Sequence, residues 1–586
     1  MIHPFHLTGK AWRAHRLWRS LSFALLAGLV FPGISKAGGR QLAMAAAAAP
    51  LFQETNVWNV HLIFTAEQWA AMEPKRVQGG FGGFGGPGGP MGGPGRPGGF
   101  GGPMAGPGNP MRGSTNGPGG PMMGGTGGPP RGGPPGGEDG GGMTLRNPNA
   151  QRNGLAGIMG IDFVWARATL EFEGFKFDDI GVRYKGNGTY AESQRQLKRP
   201  LKIDLDKNVR GQNLLGVTKL NFGNLVADPS CLSDTLSYQL FREAGVPSPR
   251  TAHARIHLTV PGKYDHLFLG LYVMVENVDS MFAISRFGVK QGLILKPVTP
   301  KIFEYLGEDW AAYAGIYDPK TRAYPEQQRR VIELARLVTS ADDATFQAKI
   351  GDFLDLDEFA RFLAVTVFLS TMDSILAQGQ NCYVYLHPVS NKFMFMPWDL
   401  DHSFGEFPMI GTAEGRINLS LVHPYVGKNK FLERMLAFEQ FKTLYLNYHR
   451  RFLDTVYKPE KIHQQLDRIA GVIRPALKEE SDAKLKRFEQ AVSDKTIVPD
   501  ANDNNPFRGF GPFGGTPSQT KLFITKRAQS VANQLAGTST GQIVERGGFG
   551  PPGGGPPGGG PPPGGGWPGG PDDEQDFEPP MEEMPF

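Results

Sequence analysis

At 586 residues the chain has room for several domains, yet 81 glycines and 49 prolines show that much of it is not core. Removing the Gly/Pro-rich tracts leaves about 440 residues, enough for one large domain or two ordinary ones. A net charge of +5 with dispersed Lys and Arg argues against a nucleic-acid partner, and two cysteines, Cys231 and Cys382, exclude a disulfide framework.

The chain begins with Lys10, Arg13, Arg16 and Arg19, then an apolar run over 21–31 and a small-residue site at Ser35-Lys36-Ala37. That order reads as a secretory signal over 1–37, too short in its apolar part to span a bilayer. No later stretch of the mature chain is apolar enough to cross, so an exported protein (periplasmic, cell-surface or extracellular) is expected. A strand at 57–64 and a helix at 65–72 capped by Thr65 follow, inside a first segment of 51–77. The tract 78–150 is rich in Gly, Pro and Met without a three-residue register; it reads as a disordered insertion, not collagen.

Strands are expected over 163–172 and 179–184, then a basic glycine-containing loop carrying Lys185. The run 198–206 alternates Leu201, Ile203 and Leu205 against Lys202, Asp204 and Asp206, the period of a half-buried strand. A Gly loop followed by a strand lysine is how kinases cover and pair ATP phosphates. A helix over 230–244 carries Asp234 in its first turn, where a carboxylate favours the helix dipole or reaches a strand lysine. A hairpin over 251–275 ends near Glu276, where a linker between lobes presents groups to an adenine. Helices dominate from 325 onward, and 357–369 leads directly to Asp373.

The stretch 371–405 organises the rest. Two apolar runs around a turn read as a hairpin, Asn381 opening the first and Asp399-Leu400-Asp401 closing the second. On a strand, residues two apart share a face, so Asp399 and Asp401 are expected to project together. With the Asn381 amide they form a hard-oxygen set suited to Mg²⁺ or Mn²⁺ beside phosphates, leaving Asp373 to orient or deprotonate a nucleophile. The competing structural reading is a capped strand end. After 405 the chain is loop-like to 418 and then helical. The run 500–505 lacks the Gly and Glu of a calcium loop and reads as solvated. Beyond 541 a Gly/Pro-rich acidic tail is expected to be disordered.

Several of these segments resemble the spore coat protein H (CotH) kinase-like family over roughly 160–540: Val182 to Asn187, Pro200 to Ile203, Lys219 to Asn221, Arg242 to Pro247, Gly270 to Asp279, and Asp373 with Asn381 to Tyr385 and Pro397 to Gly405. The resemblance implies an α+β, atypical protein-kinase-like two-lobed fold: a strand-rich N-terminal lobe over 151–300 and a mostly helical C-terminal lobe over 301–540. It implies ATP and Mg²⁺ or Mn²⁺ as cofactors, Asp373 as the catalytic residue and Asp399 as the metal-binding Asp, with Asn381 or Asp401 beside it. Lys202 is then the nucleotide lysine, with Lys185, Glu276 and Asp234 as nucleotide-side candidates. The expected partner is an exported or surface protein bearing hydroxyl side chains. Two other readings stand beside it: a non-catalytic surface or assembly scaffold, and a Ca²⁺-stabilised binding module.

Overall fold

The computed structural model describes residues 47–76, 160–289, 292–407, 409–495 and 519–546. The expected signal segment, the Gly/Pro/Met-rich insertion, the 500–505 run and the tail beyond 546 lie outside the described residues.

The N-terminal half is strand-rich. Its strands are β1 (Val57–Ile63), β2 (Lys75–Arg76), β3 (Ile161–Asp162), β4 (Ala166–Phe172), β5 (Phe175–Tyr184), β6 (Leu201–Asp204), β7 (Lys219–Gly223), β8 (Thr251–Val260) and β9 (Tyr264–Glu276). Seven of them close a barrel in the order β1-β4-β5-β6-β7-β9-β8, while β2 and β3 pair separately. Every barrel pairing is antiparallel except β1 with β8, which run parallel from Val57↔His253 to Ile63↔Thr259. Closure removes the edges an open sheet would expose. The barrel is filled by alternate side chains such as Val60, Leu170, Ile203, Phe222, Ile256 and Tyr272. In β6 all four residues are buried, Lys202 and Asp204 included. The expected half-buried strand therefore has its polar face covered as well.

The second half is helical around a small sheet. The helices, numbered along the whole chain, are α1 (Ala66–Ala71), α2 (Gly188–Ser193), α3 (Ser233–Glu243), α4 (Ser280–Phe287), α5 (Ala311–Tyr317), α6 (Pro325–Ser340), α7 (Asp343–Phe353), α8 (Leu356–Phe368), α9 (Ala413–Ile417), α10 (Lys430–Ala437), α11 (Glu439–Thr455), α12 (Pro459–Glu480), α13 (Asp482–Val492) and α14 (Thr520–Leu535). The sheet has the order β10-β11-β12, from β10 (Leu293–Leu295), β11 (Cys382–Leu386) and β12 (Phe393–Pro397). Four helices sit where loops or no element were expected: α2 in the basic loop, α9 in the 405–418 segment, α4 and α5. The α4 helix is set by its cap, the Asp279 carboxylate accepting from the N–H groups of Met281 and Phe282.

Helix α8 is the spine of the helical body. Asp355 caps it by accepting from the Glu358 N–H, and ten of its residues are buried. Phe359 packs tilted against Phe395 of β12 at 4.7 Å between ring centroids, and Phe362 against Phe241 of α3 at 5.6 Å. Burying such aromatics contributes a few kcal/mol each, roughly 2–3 on area grounds. Cys231 and Cys382 are unpaired and buried. The folded chain reaches past 541: Gln542 pairs with Leu419, Arg546 with Ile410, and Val544 is buried. Among the described residues no helix is long and apolar enough to cross a membrane.

Candidate functional site

The hairpin expected at 371–405 is present, with Cys382 facing Pro397 and Leu386 facing Phe393. Its two ends are held together where the Trp398 N–H donates to the Asn381 carbonyl at 3.1 Å. Strand β12 stops at Pro397, however, and Asp399 has φ 54°. Asp399 and Asp401 therefore lie on a turn beyond the strand, so the two-residue alternation that was expected to pair them does not operate. The Asp401 carboxyl is pushed well above the usual range by burial first, then by the negative charge of Asp399, Asp234, Asp373 and Asp228.

Asp373 follows α8 at the body's centre. Its Oδ1 accepts from the Gln380 side chain at 2.7 Å and its Oδ2 from the Asn381 side chain at 3.0 Å. Asn381 donates its other N–H to the Asp373 carbonyl at 2.9 Å. Burial raises the Asp373 carboxyl, against the lowering influence of His402, Gln380 and Asn381. Asn381 is only 4% exposed and sits at φ 57°, and its Oδ1 has no hydrogen-bond donor. A buried amide oxygen without a donor costs about 1–3 kcal/mol, so its retention calls for a partner.

A hard cation is one partner that fits. Mg²⁺ takes one or two carboxylates and completes its octahedron with water and phosphate oxygens. The half-buried Asp399 and Asp401 offer that chemistry beside Trp398, whose N–H donates to the Asn381 carbonyl, and positive charge would relieve their mutual repulsion. Among the described residues no three His, Cys, Asp or Glu side chains stand in metal-holding geometry. The donor set suits a cation shared with a phosphate rather than an all-protein cage.

Helix α3 grips this turn. The Asp399 N–H donates to the Tyr238 hydroxyl oxygen at 2.9 Å, and the Leu400 N–H to Asp234 Oδ1 at 2.9 Å. Asp234, expected beside a strand lysine or the helix dipole, is thus also an anchor for the carboxylate turn. Asp228 fixes the start of α3, accepting from the N–H groups of Ser230 and Ser233 at 2.9 and 2.7 Å.

The cations come from two places. Lys202 on β6 is fully buried, paired in register with Arg183 and Asn221. Lys185 and Lys296 each place Nζ 5.3 Å from the Trp398 ring centroid, and Lys296 also lies 5.6 Å from that of Tyr383. Trp398 immediately precedes Asp399, so these two ammoniums border the carboxylate turn. Glu276 is held in ion pairs: Arg250 donates to it through its backbone N–H and guanidinium at 3.0 Å, and Arg286 at 2.6 Å. Its carboxylate is committed to an ion cluster at the end of β9. The neighbouring Asn277 accepts from Asn221 at 3.0 Å, which ties that strand end to the strand beside Lys202.

Sequence reasoning gave Tyr238, Gln380, Asp228 and Lys296 no role in the site. A tyrosine four residues after Asp234 on one helix face carried a signal, because that spacing puts both on the same side. Nothing local marked Gln380.

The fold and site define an α+β protein in which barrel-borne and sheet-borne lysines border a carboxylate turn held by a helix. The family model described as CotH kinase protein matches residues 182–528, more than half of the chain, and the chain belongs to that family. It is similar to the inner spore coat protein H of Bacillus subtilis (strain 168), with 22% identity over 302 residues covering 51% of this chain and 77% of that protein.

Proposed function

We propose that the chain is an atypical protein kinase with a two-lobed, kinase-like arrangement, transferring the ATP γ-phosphoryl group to hydroxyl side chains of exported or surface proteins. The observation that carries this reading is that Asn381 donates to the Asp373 carboxylate, which Gln380 also holds, and accepts from the Trp398 N–H beside Asp399. Phosphoryl transfer asks little covalent chemistry of a protein; it asks for positioning and charge stabilisation.

Asp399, Asp401 and the Asn381 Oδ1 would hold Mg²⁺ or Mn²⁺, which would supply positive charge to the phosphates. Lys202, with Lys185 beside Trp398, places and neutralises the phosphate oxygens. Asp373 orients the acceptor hydroxyl and takes its proton as the new O–P bond forms and the bond to ADP breaks. Its buried, raised carboxyl is a better proton acceptor than a solvated one, once ionised. Gln380 and Asn381 keep both of its oxygens aimed.

The inner spore coat designation of the Bacillus relative favours a second reading, a surface or coat scaffold in which the fold assembles rather than catalyses. Both readings place the protein at a surface. Thermal unfolding with Mn²⁺ and ATP separates them. The kinase reading expects a metal-dependent rise in melting temperature, as ligand linkage requires, and an absent rise at millimolar ATP contradicts it.

A further inference from the structure

We propose that Tyr238 is a positioning residue that latches the metal-binding turn, with α3 as the element that sets it; this rests on the kinase reading of the site. Asp399 is held at φ 54°, a left-handed conformation that costs a non-glycine residue about 1–2 kcal/mol and persists only where surroundings enforce it. Its N–H and the next one both point away from any strand ladder, because β12 ended at Pro397. Tyr238 and Asp234 receive these two N–H groups at 2.9 Å each. They stand four residues apart on α3, so one helix face supplies both acceptors.

The latch is itself immobilised. Tyr238 is buried and its carbonyl accepts from the Ser248 hydroxyl at 3.2 Å. Asp228 holds the helix start, and Phe241 packs on Phe362 of α8, the helix that delivers Asp373. A shift of α3 therefore moves the Asp399 turn relative to Asp373.

Tyr238→Phe retains the packed ring and removes only the acceptor. Two readouts are taken on the full chain. Hydrogen exchange of the peptide 396–404 is expected to show one amide exchanging at least about tenfold faster in the variant, with peptides of α3 unchanged. In phosphoryl transfer, the Mn²⁺ concentration for half-maximal rate is expected to rise about tenfold while the rate at saturating Mn²⁺ stays within about threefold. Unchanged exchange overturns the latch whatever the activity does. Faster exchange with an unchanged Mn²⁺ requirement overturns its role in metal binding. If the parent protein neither binds Mn²⁺-ATP nor transfers phosphate, the kinase reading fails and Tyr238 has no metal to serve, while exchange still reports whether the latch exists.

Discussion

Asn381 gives both of its side-chain N–H bonds to Asp373, one to the carboxylate at 3.0 Å and one to the carbonyl at 2.9 Å, and keeps its oxygen free of donors. One side chain thereby fixes the proposed base and carries the oxygen proposed as a metal ligand.

Asn381→Leu removes both services at once. It leaves Asp373 one donor, Gln380, and takes away the amide oxygen. Transfer rate is expected to fall by at least about a hundredfold, with stability lowered by about 1–3 kcal/mol from the unsatisfied carboxylate. Steady-state rates and urea unfolding check the two parts separately. Asn381→Asp is expected to add repulsion to an already crowded carboxylate set and to raise the pH needed for metal binding.

Gly379 sits at φ 69°, and a Cβ there would stand 1.8 Å from the Thr299 carbonyl oxygen. Backbone cannot yield as a side-chain tip can, so Gly379→Ala is expected to displace Gln380 and Asn381 from Asp373. Loss of transfer together with a melting temperature lowered by several degrees is the expected outcome, read by calorimetry beside the rate assay.

Glu358 is a pH lever remote from the chemistry. Its Oε2 accepts from the Phe395 N–H at 2.9 Å, Oε1 has no partner, and burial raises the carboxyl from 4.5 to about 8. The folded state thus holds a proton that the unfolded chain releases above 4.5, so this contribution is complete below 4.5 and falls away as pH rises toward 8. Glu358→Gln is expected to flatten the loss of stability across that window, seen in melting temperatures measured at pH 5, 6.5 and 8.

Lys296 is fully buried between the Trp398 and Tyr383 rings on the border of the carboxylate turn. Lys296→Met preserves the length and apolar stem of the side chain and deletes the charge. The kinase reading expects weaker ATP binding, with KM raised by about tenfold, and little change in stability.

Local order was largely legible in the sequence. The Thr65 cap, the 371–405 hairpin and the helix that leads to Asp373 follow from short-range patterns, and the structure contains each. What was not legible depends on distance. The barrel closes by pairing 57–63 with 253–259, which no local period announces. Lys202 alternates as though solvated, yet it is buried, since periodicity reports which face a side chain takes and not what later covers it. The same limit applies at the site: alternation continued the strand to Asp401, whereas the left-handed Asp399 ends it. The grip of Tyr238 on that residue spans 161 positions of chain.

The most direct test of the account is label transfer from γ-labelled ATP to protein, with Mg²⁺ or Mn²⁺, by the chain without residues 1–37 and by its Asp373→Asn and Asp399→Asn variants. The account predicts transfer by the parent protein that each substitution reduces by orders of magnitude while all three remain folded. Transfer that survives both substitutions, or a folded parent that transfers nothing to itself or to co-expressed surface proteins, would contradict it.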